Sequence, residues 1–369
     1  MTTVVPETSA RTQAAPRRLS DFLTGSALII VLTLLVAEID SAIAGVFRAQ
    51  GFAQNPLEYP ITAVAVGLIA NLVLRLTRQY ERVRPAVRTE LYLKIGLVIL
   101  GARISLGDLM AIGVGGLIQA FVMVGSVFFF TWWLGGKLKL PETLKAVMAS
   151  AVSICGVSAA IAAAGAVQAR KEEVTYISAL VILVALPLMV LMPAIAGALN
   201  LSPEVAGAWF GGNIDTTAAV VGAGTVYGAQ AQAVASVVKL AQNVLIGFVA
   251  FALAFYFIAV VNRGEGDKPS PKLIWQRFPK FVIGFVLVAI LASLKVFTPE
   301  LVREMNTAMQ WAFTLAFVCI GLDFSVAEVR KAGWRPAAVY IGATVFNTVL
   351  ALLVAYLIFG VLFKIPSAG

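Results

Sequence analysis

Apolar runs recur along this chain from Phe22 to Phe363, and no polar domain separates them. A helix needs ~20 apolar residues to cover the hydrocarbon core of a bilayer. About eleven stretches approach that length: 23–46, 57–76, 88–105, 109–134, 144–168, 174–199, 203–228, 232–262, 279–297, 304–321 and 336–362. The third is short and carries Lys94. Hydrophobic residues make up 60% of the chain and charged residues 13%, against roughly 25% charged in a soluble protein. The surplus apolar surface has to face lipid. The expected fold class is therefore an all-α polytopic membrane protein forming one membrane unit.

The formal charge of +9 does not point to nucleic acid, because the basic residues sit in short loops between apolar runs. Arg75, Arg78, Arg82, Arg84 and Arg88 fill one such loop, and Lys137, Lys139 and Lys145 a second. Arg263, Lys268, Lys272, Arg277 and Lys280 fill a third, and Arg330, Lys331 and Arg335 a fourth. With the amino terminus in the cytoplasm all four fall on the cytoplasmic side, as the positive-inside rule requires. The intervening loops are near neutral, for example Arg170-Lys-Glu-Glu173. An odd number of crossings leaves the carboxyl terminus outside.

Residues 1–22 are polar and expected to be a disordered cytoplasmic stretch, without the apolar core and cleavage site of a signal peptide. The chain has no His, which removes imidazole acid–base catalysis, metal ligation and pH switching. Cys155 and Cys319 lie far apart inside apolar stretches, so neither a disulfide framework nor a zinc pattern can be built from them. No metal and no cofactor are expected, apart from a Na⁺ that a transporter would bind. An intramembrane enzyme is disfavoured, since no Ser–Lys or paired-Asp arrangement accompanies the missing His.

Two internal repeats stand out, a frequent feature of transporters. Leu97-Val-Ile-Leu-Gly-Ala-Arg-Ile-Ser-Leu-Gly-Asp-Leu109 matches Phe317-Val-Cys-Ile-Gly-Leu-Asp-Phe-Ser-Val-Ala-Glu-Val329. Gly101 aligns with Gly321, Ser105 with Ser325, Asp108 with Glu328, and Arg103 with Asp323. The two copies lie on spans of opposite direction, as in an inverted repeat. A second pair joins Ser153–Gly165 to Asn213–Thr225. If every apolar stretch crosses, this second pair is parallel. Either one element is re-entrant or the repeats are permuted.

The stretch from Trp209 to Gly228 concentrates Gly211, Gly212, Asn213, Asp215, Thr216 and Thr217 in the middle of a span-length segment. A helix broken there exposes backbone groups that must face protein or a water-filled cavity. A half-helix starting near Thr216 would aim its positive end at an anion. The alternative is an ordinary helix that uses small residues for close packing. Asp215 is the sharpest single residue, because a carboxylate at mid-membrane costs roughly 2.5–3.5 kcal/mol on insertion scales. It is a candidate ligand for a coupling ion with Asn213 and Asn243, or a proton carrier; the alternative is a structural ion pair with Lys239. Ser153, Cys155, Gly156 and Ser158 form the candidate facing break. With Gly212, Asn213, Thr216, Thr217 and Lys239 they make up the candidate substrate-binding set. Cys155 has no base beside it in the sequence to make it a nucleophile.

Six motifs, in order, resemble the YeiH-type sulfate exporter family: Leu97–Leu109, Ser153–Ser158, Gly211–Gly224, Val237–Asn243, Pro279–Phe285 and Ile320–Val329. The resemblance covers about residues 24–360. It implies a multi-pass transporter of a bacterial-type inner membrane, related to the cation/anion antiporter and bile-acid symporter superfamily. That relation implies inverted repeats, broken helices crossing near the midplane, a panel domain beside a moving core, and a possible homodimer. The chain departs from the family where a Ser-Ile-His-Glu-Thr type stretch reads Asn213-Ile-Asp-Thr-Thr217 and an Arg-like position reads Gln242. These departures fall in the candidate site and put the family's substrate in doubt for this chain.

The expected organisation is scaffold helices at 23–80 and a transport core at 88–262, broken around 153–158 and 211–217. A cytoplasmic loop at 263–278 and the remaining helices at 279–362 complete it. The expected function is export of a small inorganic oxyanion, sulfate first. The alternative is Na⁺- or H⁺-coupled movement of a small organic anion, a carboxylate or sulfonate. The partners expected are that anion and the lipid bilayer, not nucleic acid.

Overall fold

The computed structural model describes residues 14–49, 59–104, 106–261, 272–324 and 333–363. Among them all regular structure is helical, and seven helices are long and apolar enough to cross a membrane. The labelled helices are α1 (Ala14–Ala49), α2 (Tyr59–Leu76), α3 (Thr89–Leu100), α4 (Leu106–Lys137) and α5 (Glu142–Ser150). Then come α6 (Val157–Val167), α7 (Lys171–Ala198), α8 (Pro203–Asn213), α9 (Thr217–Tyr227) and α10 (Ala229–Val244). Last are α11 (Ile246–Tyr256), α12 (Phe281–Ser293), α13 (Pro299–Asp323) and α14 (Trp334–Ala355). The chain is a polytopic α-helical membrane protein. Two of the stretches expected to cross, 144–168 and 203–228, are each a pair of shorter helices.

The chain divides into two compact units. One runs to Leu93 and includes Gln310–Phe324; the other holds Lys94–Met309 and the residues from Ser325 onward. In the first unit, α1 starts at Ala14, inside the stretch expected to be disordered as far as residue 22. Ala, Arg and Leu in this stretch are good helix formers, and Pro16 falls in the first turn, where it costs no hydrogen bond. The carbonyl end of α13 lacks intrahelical donors. The buried Asn71 of α2 supplies them, donating from Nδ2 to Leu322 O at 2.7 Å and Phe324 O at 2.6 Å. Arg75 Nε holds Asn71 Oδ1 at 2.5 Å, and Tyr80 donates to Asp323 Oδ1 at 3.1 Å. Asp323 thus has a structural partner in its own unit.

The first repeat recurs in packing. In one unit, a Cβ on Gly101 would lie 2.5 Å from Phe285 O of α12, and Val98 packs on Gly284 of the same helix. In the other, a Cβ on Gly321 would lie 2.6 Å from Leu68 N of α2, and Val318 O faces Gly67. Each copy of the motif seats its glycine against a helix that offers a glycine in return. Ser105, Ser325 and Glu328 lie outside the described residues, as do Arg263, Lys268, Arg330 and Lys331, and the Asp108 side chain is not described.

The second unit is organised by three long elements. α4 and the α10–α11 run are parallel: Gly116 meets Val238, Ala120 shares a core cluster with Ala241, and Trp132 meets Tyr256 edge-on at 5.7 Å. α14 runs against α4, with Phe130 stacked on Phe346 at 4.0 Å and Gly115 beside Phe359.

Between them lie two re-entrant hairpins. Thr143, at the start of α5, donates to Glu173 just beyond α6 at 3.2 Å. Ala146 of α5 also shares a core cluster with Ala163 and Val167 of α6. The segment therefore leaves and returns to one end, the end where α4 finishes at Lys137. In the second hairpin, Gly207 and Gly211 of α8 meet Ala231 and Ala235 of α10, so α8 and α10 are parallel. Gly224 of α9 meets Gln232, while Thr217 at the start of α9 bonds Asn243, so α9 and α10 are antiparallel. Tyr227 closes this hairpin by donating to Leu201 O at 2.6 Å. It opens at the end where α7 finishes, opposite the first. Two hairpins entering from opposite ends remove the parallel orientation of the second sequence repeat.

Candidate functional site

The first hairpin turns at a strained point. α5 continues through one π-helical turn, Ala151–Cys155, and stops at Gly156, whose φ of +65° disfavours any L side chain. Space forbids one as well, since a Cβ there would lie 2.5 Å from Val181 Cγ1. The second hairpin turns through extended backbone. Ser202 caps the start of α8, its Oγ accepting from Val205 N at 3.4 Å, with Pro203 next. α8 ends at Asn213, Ile214 is extended, and Thr216 caps α9 by accepting from Ala219 N at 3.2 Å. The Gly207-Ala-Trp-Phe-Gly211 spacing lets α8 approach α10 closely; a Cβ on Gly211 would lie 2.7 Å from Ala235 O.

The tips meet. Asn347 of α14 donates from Nδ2 to Val152 O of the first tip at 3.4 Å and Asn213 O of the second at 3.0 Å. Lys239 of α10 donates to Ile154 O and, at 2.9 Å, to Gln242 Oε1. Gln242 Nε2 in turn donates to Gly212 O at 3.1 Å. The carbonyl ends of both inbound arms are thus capped by side chains, as buried helix ends require. Both outbound arms, α6 and α9, begin at the tips with their amide ends.

Asp215 stands on the second tip, 1% exposed. Tyr340 of α14 donates to its Oδ2, while Oδ1 is buried without a hydrogen-bond partner. Lys239, also 1% exposed, lies close enough for its charge to act on Asp215. Its ammonium donates instead to Ile154 O and Gln242 Oε1, so the direct ion pair considered from sequence is replaced by a charge held at a distance.

The remaining candidates fall as follows. Ser153 is buried in the π-helical turn with Oγ unpartnered. Cys155 is a buried thiol in the core beneath that tip. Gly156 is the turn itself, and Ser158 is half-buried in the first turn of α6. Gly212 faces Gln119, which donates to Ala208 O at 2.8 Å. Asn213 donates to Met192 Sδ at 3.0 Å and accepts from Thr348 at 3.1 Å. Thr216 is the α9 cap, and Thr217 accepts from Asn243 Nδ2 at 3.3 Å, leaving Asn243 Oδ1 without a partner.

Sequence reading expected a span at 336–362 but placed no site residue on it, and it did not single out Gln119. The signal was present, since Tyr340, Thr344, Asn347 and Thr348 follow a helical i, i+4, i+7, i+8 spacing, a polar stripe on an apolar helix. Among the described residues no cluster of three or more His, Cys, Asp or Glu suits a metal ion.

Known relatives share this chain. A family model described as conserved hypothetical protein 698 matches residues 28–355. A UPF0324 membrane protein of Rhodopirellula baltica is 40% identical over 83% of this chain and 59% of its own length. One from Nitratidesulfovibrio vulgaris is 38% identical over 80% of this chain and 54% of its own. The UPF0324 membrane protein TauZ of Paracoccus denitrificans is 30% identical over 79% of this chain and 87% of its own. The chain thus spans little more than half the length of the first two relatives. No solved structure matches it. With its helical core matched across residues 28–355, the chain belongs to the conserved hypothetical protein 698 family, whose relatives are UPF0324 membrane proteins.

Proposed function

We propose that this chain is a secondary transporter in which Asp215 couples movement of a small anion to that of Na⁺ or H⁺. The observation that carries the reading is the kind of atom left unpartnered around the tips. Asp215 Oδ1, Asn243 Oδ1 and Asn347 Oδ1 are all acceptors, and Ser153 Oγ can act as one. Buried acceptors without donors are satisfied by a cation or a proton, not by an oxyanion. The amide ends of α6 and α9, with Ser158, Thr216 and Thr217, supply the complementary donors for a carboxylate, sulfonate or sulfate. Hairpins that open to opposite ends and meet at buried tips suit a site reached alternately from each face. The basic loops favour a cytoplasmic amino terminus in a bacterial-type inner membrane.

Potential-driven export of sulfate without a coupled cation, as in the YeiH-type resemblance, is the second reading. Lys239 favours it, because its ammonium has three donor protons and the bonds to Ile154 O and Gln242 Oε1 use two. An inside-negative potential drives each negative charge outward by about 2.3 kcal/mol per 100 mV.

Counterflow of labelled sulfate in proteoliposomes, with and without Na⁺ and a pH gradient, separates the two. The same vesicles are then loaded with small sulfonates and carboxylates. The coupled reading expects cation-dependent exchange that Asp215→Asn abolishes while the protein stays folded. Cation-independent sulfate exchange that survives Asp215→Asn would sink it and establish the second reading.

A further inference from the structure

We propose that the groove between α4 and α11 is a binding site for one anionic diacyl phospholipid, its acyl chain in the groove and its phosphate on the lysines beyond. The groove encloses about 380 Å³, within the roughly 300–1,000 Å³ class of ligand sites. It exists because two facing positions carry almost no side chain. A Cβ on Gly125 would meet nothing within 4 Å, and Ala252 lines the other wall. Phe128 and Trp132 continue the α4 wall at helical spacing, and Tyr256 continues that of α11. From Val124 to Trp132 the cleft extends about 12 Å by helix rise, enough for an acyl segment.

One end is chemically different from the other. Trp132 meets Tyr256 edge-on there, as in the aromatic belts that sit at the headgroup level. Directly beyond, Lys145 Nζ lies 5.1 Å from the Trp132 ring, and Lys137 Nζ lies 5.9 Å from the Trp133 ring. Lys139 follows in the same loop and is exposed. Among the described residues there, these three lysines face one carboxylate, Glu142, held on Lys145 at 2.5 Å. The adjoining Arg170, Lys171, Glu172 and Glu173 cancel in charge. An apolar cleft closed by an aromatic pair and topped by excess positive charge fits an acyl chain joined to a phosphate. The flanks suit a lipid-facing setting, with Phe129 72% and Phe255 61% exposed. The groove also backs onto the first hairpin, because Leu253 of its wall shares a core cluster with Ala146, Ala163 and Val167.

The test is native mass spectrometry of the purified, delipidated full chain titrated with phosphatidylglycerol and with phosphatidylcholine of the same acyl length. Wild type is expected to retain one phosphatidylglycerol in preference to phosphatidylcholine. Lys137→Gln with Lys139→Gln should cut that preference by about 25-fold, roughly fivefold per lysine near an anionic headgroup. Gly125→Leu or Ala252→Leu should fill the cleft and abolish retention of either lipid, while the delipidated variants unfold at the wild-type temperature. Equal retention of the two lipids by wild type would overturn the proposal, as would undiminished phosphatidylglycerol binding by both folded cleft-filling variants. Binding of inorganic phosphate at the lysines without lipid retention would likewise overturn it.

Discussion

The two hairpins carry related sequences, enter from opposite ends and meet at their tips, yet they are held in different ways. The first tip relies on borrowed groups: its carbonyls accept from Lys239 of α10 and Asn347 of α14, and its turn depends on a positive φ at Gly156. The second tip carries its own cap in Thr216, seats its inbound arm on α10 through Gly207 and Gly211, and bears the buried carboxylate of Asp215. The lesson is a division of labour. One tip receives polar groups from its neighbours, and the other presents them. Lys239 joins the two, because the helix that supports the second hairpin caps the first.

The largest effect should come from breaking that link. Lys239→Met removes the cap on Ile154 O and the positive charge near Asp215. It should cost about 3–5 kcal/mol, the range for leaving one buried charge uncompensated. The readout is the thermal midpoint in detergent, with hydrogen exchange expected to rise at 151–156 before 214–217. If the double variant Lys239→Met with Asp215→Asn recovers none of the loss, the two charges are not coupled and the comparison fails.

A middle effect tests the second hairpin alone. Gly211→Ala places a methyl group 2.7 Å from Ala235 O and should destabilise by about 1–3 kcal/mol through overpacking. Exchange should then rise in α8 and α9 and leave α5 and α6 protected. Uniform loosening of both hairpins would mean they are one cooperative body.

The smallest effect concerns the cap that the second tip provides for itself. Thr216→Val keeps the shape and removes the oxygen accepting from Ala219 N, for a loss of about 1 kcal/mol. A change in thermal midpoint several times larger would show Thr216 holding more than the helix end.

Much of this was legible beforehand. The apolar runs fixed an all-helical membrane chain, because lipid leaves backbone groups no alternative to helix or closed barrel. Glycines and hydroxyls at mid-segment marked both breaks, since a packed lipid-facing helix has little use for them. Ser202-Pro-Glu carries the capping chemistry that starts α8, a local signal the sequence reading did not use. Asp215 and Lys239 were identifiable because an ionisable group inside an apolar run is costly wherever it lands.

Other features depended on residues far apart in the chain. Whether 144–168 and 203–228 crossed or returned is set by the contacts Thr143–Glu173 and Tyr227–Leu201, which no local pattern encodes. The partner of Asp215 is Tyr340, and the clamp across both tips is Asn347, each from a helix more than a hundred residues later. Sequence by itself determined the solvent this protein folds in and the positions where its helices fail, because burial cost and backbone hydrogen bonding act residue by residue. Only the tertiary structure decided which groups meet at those failures, because a broken helix end accepts any donor that packing delivers.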